Sequence, residues 1–508
     1  MTTQTQSILQ SPTISAIKTY IRDEWQALTR SHDHILDAAF DEKIEHEKDG
    51  PWLVYISGQE NLDDITDRLR QSVSADEMEQ ISVRNLPLEC EQIHGHGLLY
   101  LPGEYVVPGG RFNELYGWDS YFIMLGLLHD EEYTLAKSMV EQLLYQVKHY
   151  GTVLNANRTY YLNRSQPPLL SHMVLKWYER CQDKDWLMAT LPQLESYYYY
   201  WVVPPHLNQA TGLSRYFSVA SGPAPEVLYS ETDDQGRSHF DRVKIFYRDN
   251  EVTDYDASLY YDRDADELTD LFYKGDRAMR ESGFDPTNRF GPFSVDVIHY
   301  APVCLNVLIH QMEHDLAEIH SILGHGALSD QWRSRADYRN GLIDRYLWDD
   351  ESGFYLDYNF RSVCHRRYEY ATAFYPLWSG IASKEQADRM VANLHRFEAP
   401  GGLKTSNFAS GNQWDAPFGW APFQYFAIKG LLRYGYKTEA LRLAEKYVTL
   451  LVNDFERCGV LLEKYDVEKC TGDVSDAIKF GYSTNVVGFG WTNGVFLELV
   501  EILEQEQG

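Results

Sequence analysis

Hydrophobic positions recur with a helical period along most of the chain. Three stretches show the pattern most clearly, because their apolar residues are spaced to share one face of a helix. These faces are Leu135, Met139, Val140, Leu143, Leu144 and Val147; Leu305, Leu308, Ile309, Met312, Leu316 and Ile319; and Leu441, Ala444, Tyr447, Val448 and Leu451. Strand-like alternation is short and scattered. The pattern therefore predicts an all-α fold.

Polar and aromatic residues concentrate between the helical stretches, in segments rich in Gly, Pro, Asn and Trp. Residues 1–85 lack such segments, are rich in charge, and are predicted to form one or two helices. No Gly/Ser-rich or Pro-rich linker divides the chain. We therefore expect an N-terminal helical extension over residues 1–85 that braces one large helical domain over residues 86–508, with the functional site on the loops of that domain.

The charge balance restricts the class of ligand. The chain has 75 acidic and 46 basic residues, for a formal net charge of -29. Such a charge repels nucleic acids and anionic membranes, so neither is expected as a partner and a small neutral molecule is favoured. The sequence begins without a basic segment followed by an apolar one, and no later apolar stretch is long enough to span a bilayer. A cytoplasmic location is expected.

The potential metal ligands do not form a convincing site. The six cysteines are far apart and lack paired spacing, which predicts reduced structural thiols. Segment 262–273 begins like a calcium loop, but Glu267 stands where that loop needs glycine. His94 and His96 have no second pair of ligands nearby in sequence. No metal and no cofactor are predicted.

Four loop segments combine aromatic rings with carboxylate, amide and guanidinium groups. They are "PGGRFNELYGWDSY" (108–121), "LNANRTYYLNRSQPP" (154–168), "RAMRESGFDPTNRF" (277–290) and "NQWDAPFGWAP" (412–422). A simple turn before a helix would need only one or two of the polar residues in the first segment. An indole beside a carboxylate suits a sugar, whose apolar face stacks on the ring while its hydroxyls form hydrogen bonds. The segments therefore indicate a carbohydrate site.

These segments resemble the signatures of the trehalase family, glycoside hydrolase family 37. The patterns "PGGRFxExYxWDxY" and "QWDxPxGWxP" occur in the family's order, supported by "NRSQPP", "ESGFD", "GGLKTS" and "GFGWTNGV" (488–495). The resemblance covers roughly residues 100 to 500. It implies an (α/α)6 barrel of six outer and six inner helices, with loops carrying the active site at one mouth, and hydrolysis of an α-glucoside with inversion of configuration.

Hydrolysis of an acetal requires one group to protonate the leaving oxygen and another to activate the attack. By resemblance, Asp285 in "ESGFD" is the general acid and Glu463 in "LLEKYDV" is the general base. An inverting mechanism places the two carboxyl groups about 6.5 to 9.5 Å apart, with room for a water molecule between them. Phe284, where the family usually has Trp, is expected to desolvate Asp285 and help it keep its proton.

The resemblance also assigns a set of substrate-binding residues. They are Arg111, Phe112, Tyr116, Trp118, Asp119, Asn155, Arg164, Gln166, Glu226, Gly283, Gln413, Trp414, Trp420, Tyr482 and Trp491.

Three departures from the family pattern concern the leaving-group side. Ala224 in "APE" replaces a third arginine, Phe418 stands where Asn is usual, and the segment around Tyr482 replaces a glycine-rich segment with a glutamate. Loss of hydrogen-bond partners weakens recognition of a hydroxylated group. We therefore expect at least one α-glucoside with a short aglycone to be hydrolysed about as well as trehalose.

The leading hypothesis is an inverting hydrolase of trehalose or of a small α-glucosyl solute, glucosylglycerol or glucosylglycerate. Glycerate is less favoured because it needs an additional cation. A catalytically silent sugar-binding protein on the same barrel is the alternative from another class, and the presence of both candidate carboxylates argues against it. A phosphorylase would replace the base by phosphate, so the presence of Glu463 argues against that reaction too.

Overall fold

A computed structural model describes residues 9–45, 50–230, 235–474, 478–480 and 484–505. Its α-helices are α1 (Pro12–Ala27), α2 (Ile35–Ala39), α3 (Leu62–Ser72), α4 (Ala75–Glu79), α5 (Asp119–His129), α6 (Tyr133–Tyr150), α7 (Leu170–Cys181), α8 (Lys184–Val202), α9 (Pro225–Ser230), α10 (His239–Asp249), α11 (Asp270–Glu281), α12 (Val303–Ile322), α13 (Gly326–Leu347), α14 (Tyr375–Ser379), α15 (Lys384–Ala392), α16 (Ala421–Arg433), α17 (Lys437–Cys458) and α18 (Gly490–Gln505). Short 3-10 helices lie at His32–His34, Cys90–Gln92, Thr159–Tyr161, Ala257–Leu259, Pro292–His299, Ala371–Phe374 and Leu394–Arg396.

The strands are short and peripheral. They are β1 (Thr29–Arg30), β2 (Trp52–Ile56), β3 (Ile81–Asn85), β4 (Leu98–Leu99), β5 (Tyr105–Val106), β6 (Tyr261–Asp262), β7 (Glu267–Leu268), β8 (Tyr300–Ala301), β9 (Trp348–Asp349), β10 (Phe354–Tyr355), β11 (Tyr358–Asn359), β12 (Cys364–His365), β13 (Glu398–Ala399), β14 (Gly402–Leu403), β15 (Phe418–Gly419) and β16 (Tyr465–Asp466). Most form antiparallel pairs within or between loops, namely β1–β5, β6–β7, β9–β10, β8–β11–β12, β13–β14 and β15–β16.

The helices form an (α/α)6 barrel. Six inner helices make a closed ring in which each contacts the next: α5, α7, α12, α14, α16 and α18, with α18 returning to α5. The helices α1, α6, α8, α13, α15 and α17 lie outside this ring. Each outer helix precedes an inner one in the chain. The predicted fold is confirmed.

The hydrophobic pattern explains which helices are inside. Every residue from 119 to 128 in α5 is buried, as expected for a helix surrounded by protein. In contrast, α17 buries a stripe that includes the predicted Ala444, Tyr447, Val448 and Leu451. The three predicted helical faces lie in α6, α12 and α17.

Helix α1 completes the outer layer. Its first turn is capped by Ser11, whose side chain accepts a hydrogen bond from the backbone N–H of Thr13. It packs against α17 and α18 and buries Ile14, Ile17, Ile21 and Trp25. Trp25 Nε1 donates to Asp130 Oδ2 at 2.9 Å, just after α5. Helix α1 therefore contacts α17 and α18 and is joined to the end of α5 through Asp130.

The N-terminal region contains strands that the helical prediction did not include. β2 pairs in parallel with β3 and with β4, in the registers Trp52↔Ile81 and Val54↔Leu98. The sequence of β2, "WLVYI", is a short apolar run, and periodicity alone does not distinguish such a run from part of a buried helix. The sheet extends to residue 99, so it crosses the proposed domain boundary at residue 85. That boundary stays a prediction.

A buried ion cluster fastens the N-terminal region to segment 108–121. The carboxylate of Glu114 accepts hydrogen bonds from Lys43 Nζ at 2.9 Å and from Arg158 Nε at 2.8 Å. The Arg158 guanidinium also donates to the backbone carbonyl oxygens of residues 38–40. Burial alone would raise the pKa of Glu114, but the two cations lower it to about 2. We call Glu114, Lys43 and Arg158 the N-terminal clamp.

Other expectations can be compared with the described residues. Cys181, Cys304, Cys364, Cys458 and Cys470 are not joined in disulfides within the part of the chain that the structure describes. No group of three or more His, Cys, Asp or Glu side chains in the described ranges is arranged to hold a metal ion. None of the described helices has the length and apolar character needed to cross a bilayer.

Candidate active site

A cavity opens at the end of the barrel where the inner helices begin. Asp119 is the first residue of α5, and Trp491 lies in the first turn of α18. The cavity is lined by Pro108, Arg111, Phe112, Tyr116, Trp118, Asp119, Asn155, Tyr161, Arg164, Gln166, Glu226, Arg280, Gly283, Asp285, Gln413, Trp414, Glu463, Phe489 and Trp491. Loops between successive helices thus bring distant segments of the chain to one place.

Most of the predicted site residues line this cavity, including both candidate catalytic residues, Asp285 and Glu463. Trp420 does not line it, and its role in substrate binding stays a prediction. Its ring stacks behind Trp414, with the ring centres 3.8 Å apart, and its Nε1 donates to the backbone carbonyl of Gln413 at 2.9 Å. Tyr482 lies outside the described residues.

Aromatic rings form one wall of the cavity. Trp118 packs against Trp414 and Trp491, with ring centres 5.9 Å and 5.7 Å apart. Trp420 supports Trp414 from behind, and Phe284 contacts both Trp118 and Trp414. Because each ring is held by its neighbours, the wall is preorganised for stacking against a flat apolar surface such as the face of a sugar.

Glu463 is held by its backbone at the edge of this wall. Its N–H donates to the carbonyl of Val486 at 2.9 Å, and its own carbonyl accepts from Trp491 Nε1 at 3.0 Å. The residue is only 6% exposed. The position of the carboxylate is therefore coupled to the aromatic wall.

Asp285 follows the end of α11 after a sharp turn. Gly283 adopts φ +77°, and a Cβ added there would lie 3.1 Å from the Trp118 ring, so the turn requires glycine. Gln413 Nε2 donates to the backbone carbonyl of Asp285. Arg280 Nη1 lies 3.6 Å from Asp285 Oδ2, and the Asp285 side chain is 28% exposed. The predicted effect of Phe284 on Asp285 stays a prediction.

A buried carboxylate, Asp415, joins the two loops that carry Asp285 and Trp414. It accepts hydrogen bonds from Thr287 Oγ1 at 2.9 Å, from the Asn288 N–H at 2.9 Å and from the Tyr368 hydroxyl at 2.9 Å. These bonds link the 285–291 and 410–417 loops through one side chain. The relative position of the candidate acid and the aromatic wall therefore depends on Asp415.

Asp119 is a third carboxyl group in the cavity and is 4% exposed. Burial raises its pKa well above the usual value, and the negative charges of Glu463 and Asp285 raise it further. Asp119 therefore favours its protonated form in this cavity.

The opposite part of the cavity contains a buried ion pair between Arg164 and Glu226. Burial opposes the charge on both groups, but the pair keeps the pKa of Arg164 raised and the pKa of Glu226 lowered. Arg164 Nε and Nη1 are buried and have no hydrogen-bond partner in the described part of the chain. Buried donors are normally satisfied, so these N–H groups are suited to bind an oxygen-rich ligand.

Four lining residues were absent from the sequence prediction: Pro108, Tyr161, Arg280 and Phe489. Arg280 is the most consequential, because it adds a guanidinium beside Asp285. The sequence contains a feature that indicates a fixed position for Arg280. Asp276 and Arg280 are four positions apart on a helix, and in the structure Arg280 Nε donates to Asp276 Oδ2 at 3.1 Å.

The side chains at the sequence departures Ala224 and Phe418 do not reach the cavity. Both side chains are fully buried and neither lines the cavity. Ala224 belongs to a small separate hydrophobic core with Val227 and Phe240, and Phe418 lies in β15. Neither residue supplies a hydrogen-bond partner to the cavity surface, and Tyr482, in the third departure, lies outside the described residues, so the effect on the leaving-group side stays a prediction.

Comparisons with known proteins identify the family of the chain. The family model described as trehalase matches residues 3–504. The cytosolic neutral trehalase of Kluyveromyces lactis is 35% identical over 93% of this chain and 69% of its own length. The cytosolic neutral trehalase of Saccharomyces cerevisiae is 38% identical over 77% of this chain and 56% of its own length. The chain thus spans roughly half to two thirds of the length of these curated relatives.

Solved structures give the same result. Neutral trehalase Nth1 from Saccharomyces cerevisiae superposes with a TM-score of 0.80 at 32% identity, over 96% of this chain and 94% of that chain. A GH63 mannosylglycerate hydrolase from Thermus thermophilus superposes with a TM-score of 0.53 at 20% identity, over 78% of this chain and 95% of that chain, which is a similarity of fold. From the motifs, the barrel and the family match together, the chain belongs to the trehalase family of glycoside hydrolases.

Proposed function

We propose that the protein hydrolyses trehalose to glucose with inversion of configuration. The observation that carries the proposal is the presence of Asp285 and Glu463 in one cavity with an aromatic wall and buried guanidinium groups. Relatives that match most of this chain are named trehalases. Their "cytosolic" names also agree with the cytoplasmic location expected from the sequence.

In the proposed reaction, Asp285 donates its proton to the glycosidic oxygen as the bond to the anomeric carbon breaks. Glu463 takes a proton from a water molecule, which attacks the anomeric carbon from the opposite face. One glucose leaves with its configuration retained, and the other is released as the β-anomer. The two carboxyl groups then exchange protons with solvent before the next turnover.

The charges around the cavity bear on which acid keeps its proton. Burial raises the pKa of Asp119, and the negative charges of Glu463 and Asp285 raise it further. Arg280 opposes protonation of Asp285, because its guanidinium lies 3.6 Å from that carboxyl. We assign the proton to Asp285, because a general acid must contact the leaving oxygen.

Trehalose is proposed over glucosylglycerol and glucosylglycerate. Relatives that match most of this chain are named trehalases, which supports trehalose. The prediction of a short aglycone depended on Ala224, Phe418 and the segment around Tyr482; the first two side chains do not line the cavity, and Tyr482 lies outside the described residues. Arg280 also supplies the cavity with a guanidinium that was not among the predicted residues. The second glucose, like the first, offers many hydroxyl groups for hydrogen bonds, which suits the unpartnered N–H groups of Arg164.

The first test is the activity of the full chain on trehalose, glucosylglycerol and glucosylglycerate, measured as glucose release. We expect the highest kcat/KM on trehalose. Release of no glucose from any of them would favour the silent sugar-binding alternative. A clear preference for glucosylglycerol would retain the hydrolase and reject trehalose as its substrate.

The stereochemistry is tested by proton NMR during the first minutes of the reaction. We expect β-glucose to appear in an equal amount with α-glucose from trehalose, before mutarotation changes the ratio. Early formation of α-glucose alone would contradict inversion, even if trehalose is hydrolysed.

A further inference from the structure

Lys464 is a buried cation directly behind the candidate base. The side chain is fully buried, and Nζ lies 2.9 Å from Glu463 Oε2. The ammonium also lies 3.5 Å from the carbonyl oxygen of Thr484 and 5.4 Å from the centre of the Trp420 ring. Lys464 is not among the residues that line the cavity. It therefore contacts the candidate base from the protein side.

The backbone of Lys464 is held as firmly as its side chain. Its N–H donates to Asn485 Oδ1 at 3.2 Å, and its carbonyl accepts from Asn485 Nδ2 at 2.8 Å. The ammonium is therefore fixed by the loop around residues 484–487 and by the Trp420 ring. Because one oxygen of Glu463 is bonded to this fixed ammonium, Oε1 is the oxygen left to accept a proton from water.

The ammonium of Lys464 also affects the balance of charge around Glu463. The charged groups that line the cavity with Glu463 are Arg111, Asp119, Arg164, Glu226, Arg280 and Asp285. Arg164 is paired with Glu226, and Arg280 with Asp276 and Asp285. Burying a carboxylate is costly unless a cation lies beside it. Lys464 is in direct contact with Glu463 and supplies that cation.

We propose that Lys464 is a positioning residue for the hydrolytic reaction: it holds one oxygen of Glu463 by a direct hydrogen bond and places a positive charge beside that carboxylate, so that the other oxygen can activate water. The inference rests on the proposed function. Trp420 takes part as the surface on which the ammonium rests, because a cation over an aromatic ring is stabilised by the electron-rich face.

The test compares Lys464→Met and Lys464→Gln, which remove the charge, with Lys464→Arg, which keeps it. The measurements are kcat and KM for trehalose from pH 4 to pH 9. We expect the neutral variants to lose at least about a hundredfold in kcat, with a small change in KM. In a plot of kcat against pH, the acidic limb of the neutral variants should move to higher pH by about one unit or more. The acidic limb of Lys464→Arg should stay near the wild-type position.

The matched control is Lys446→Met, which removes a lysine whose Nζ lies 2.7 Å from Glu398 Oε1, in a helix away from the cavity lining. It should keep the wild-type kcat and pH profile. A second readout combines Lys464→Met with Glu463→Gln. Because Lys464 acts through Glu463, its removal should change kcat little in the Glu463→Gln background, whereas a purely structural effect would appear in both backgrounds.

The possible failures are distinguishable. If the wild-type chain releases no glucose from any α-glucoside, the proposed function fails. If it is active but Glu463→Gln is equally active, the base assignment fails and the role of Lys464 fails with it. If Glu463→Gln is inactive but the neutral Lys464 variants match the wild type in kcat and acidic limb, Lys464 has no positioning role. Failure of both neutral variants to fold, while Lys446→Met folds, would also overturn the proposal in favour of a folding role.

Discussion

The N-terminal clamp makes a quantitative prediction about stability. Glu114 has a pKa of about 2 in the folded chain, against an ordinary value of 4.5. At roughly 1.4 kcal/mol per pH unit, this difference corresponds to about 3 kcal/mol of folding free energy. Because the folded-state pKa is depressed, the contribution is complete well above pH 4.5 and is lost as the pH falls toward 2.

The perturbation is Glu114→Gln, which is neutral at every pH and leaves Lys43 and Arg158 without their shared carboxylate. We expect the variant to lose at least about 3 kcal/mol of unfolding free energy at pH 7. The difference in unfolding free energy between the variant and the wild type should shrink by about pH 3 to less than half of its value at pH 7. At pH 3 the Glu114 carboxyl of the unfolded wild type is protonated.

The assay is urea unfolding followed by circular dichroism at several pH values between 7 and 3. Glu318→Gln is the control, because Glu318 is exposed on α12 and should change the free energy by less than about 0.5 kcal/mol. A loss below about 1 kcal/mol in Glu114→Gln at pH 7 would refute the reasoning. So would a difference from the wild type that is the same at pH 3 as at pH 7.

Three further predictions concern the cavity. Asp285→Asn and Glu463→Gln should each lower kcat on trehalose by about a thousandfold or more with an unchanged circular dichroism spectrum, and near-normal turnover in either would end its assignment. Arg280→Gln should move the alkaline limb of kcat/KM to higher pH, because Asp285 loses a cation that favours its ionised form; a limb at the wild-type pH or below would contradict this. Gly283→Ala should lower kcat/KM at least tenfold, because its Cβ would press on the Trp118 ring; wild-type kinetics would show that the turn has room.

The motifs predicted much of the cavity because each combines residues that a helix or turn does not need for its own stability. Trp118, Arg164 and Asp285 lie in such segments and were assigned through the family resemblance, and the structure brings them to one cavity. The position of Trp420 outside the cavity lining has a physical cause. Two indoles six positions apart have the same chemistry, and only the packing decides which faces the cavity and which stacks behind it.

Positions where the chain differs from the trehalase family pattern were harder to interpret than positions where it matches that pattern. Ala224 and Phe418 differ from the usual residues, but a change of residue type does not show whether the side chain faces the ligand or the core. Arg280 was not predicted as a cavity residue, because an arginine near the end of a helix usually faces solvent. Its burial depends on Asp276, a partner that is also on α11 and is itself fully buried.

The position of helix α1 has a consequence for how the protein folds during synthesis. Lys18 and Glu504, 486 positions apart, lie within 3.0 Å of each other across α1 and α18, and a Cβ at Gly126 of α5 would meet both Trp25 and Gly494. Contacts this distant in sequence form slowly, because a long loop must close before they add stability. The inner ring therefore cannot close until almost the whole chain has left the ribosome. Until then the apolar faces of α5 and α16 lack their final neighbour, α18, and are open to aggregation or to chaperone binding.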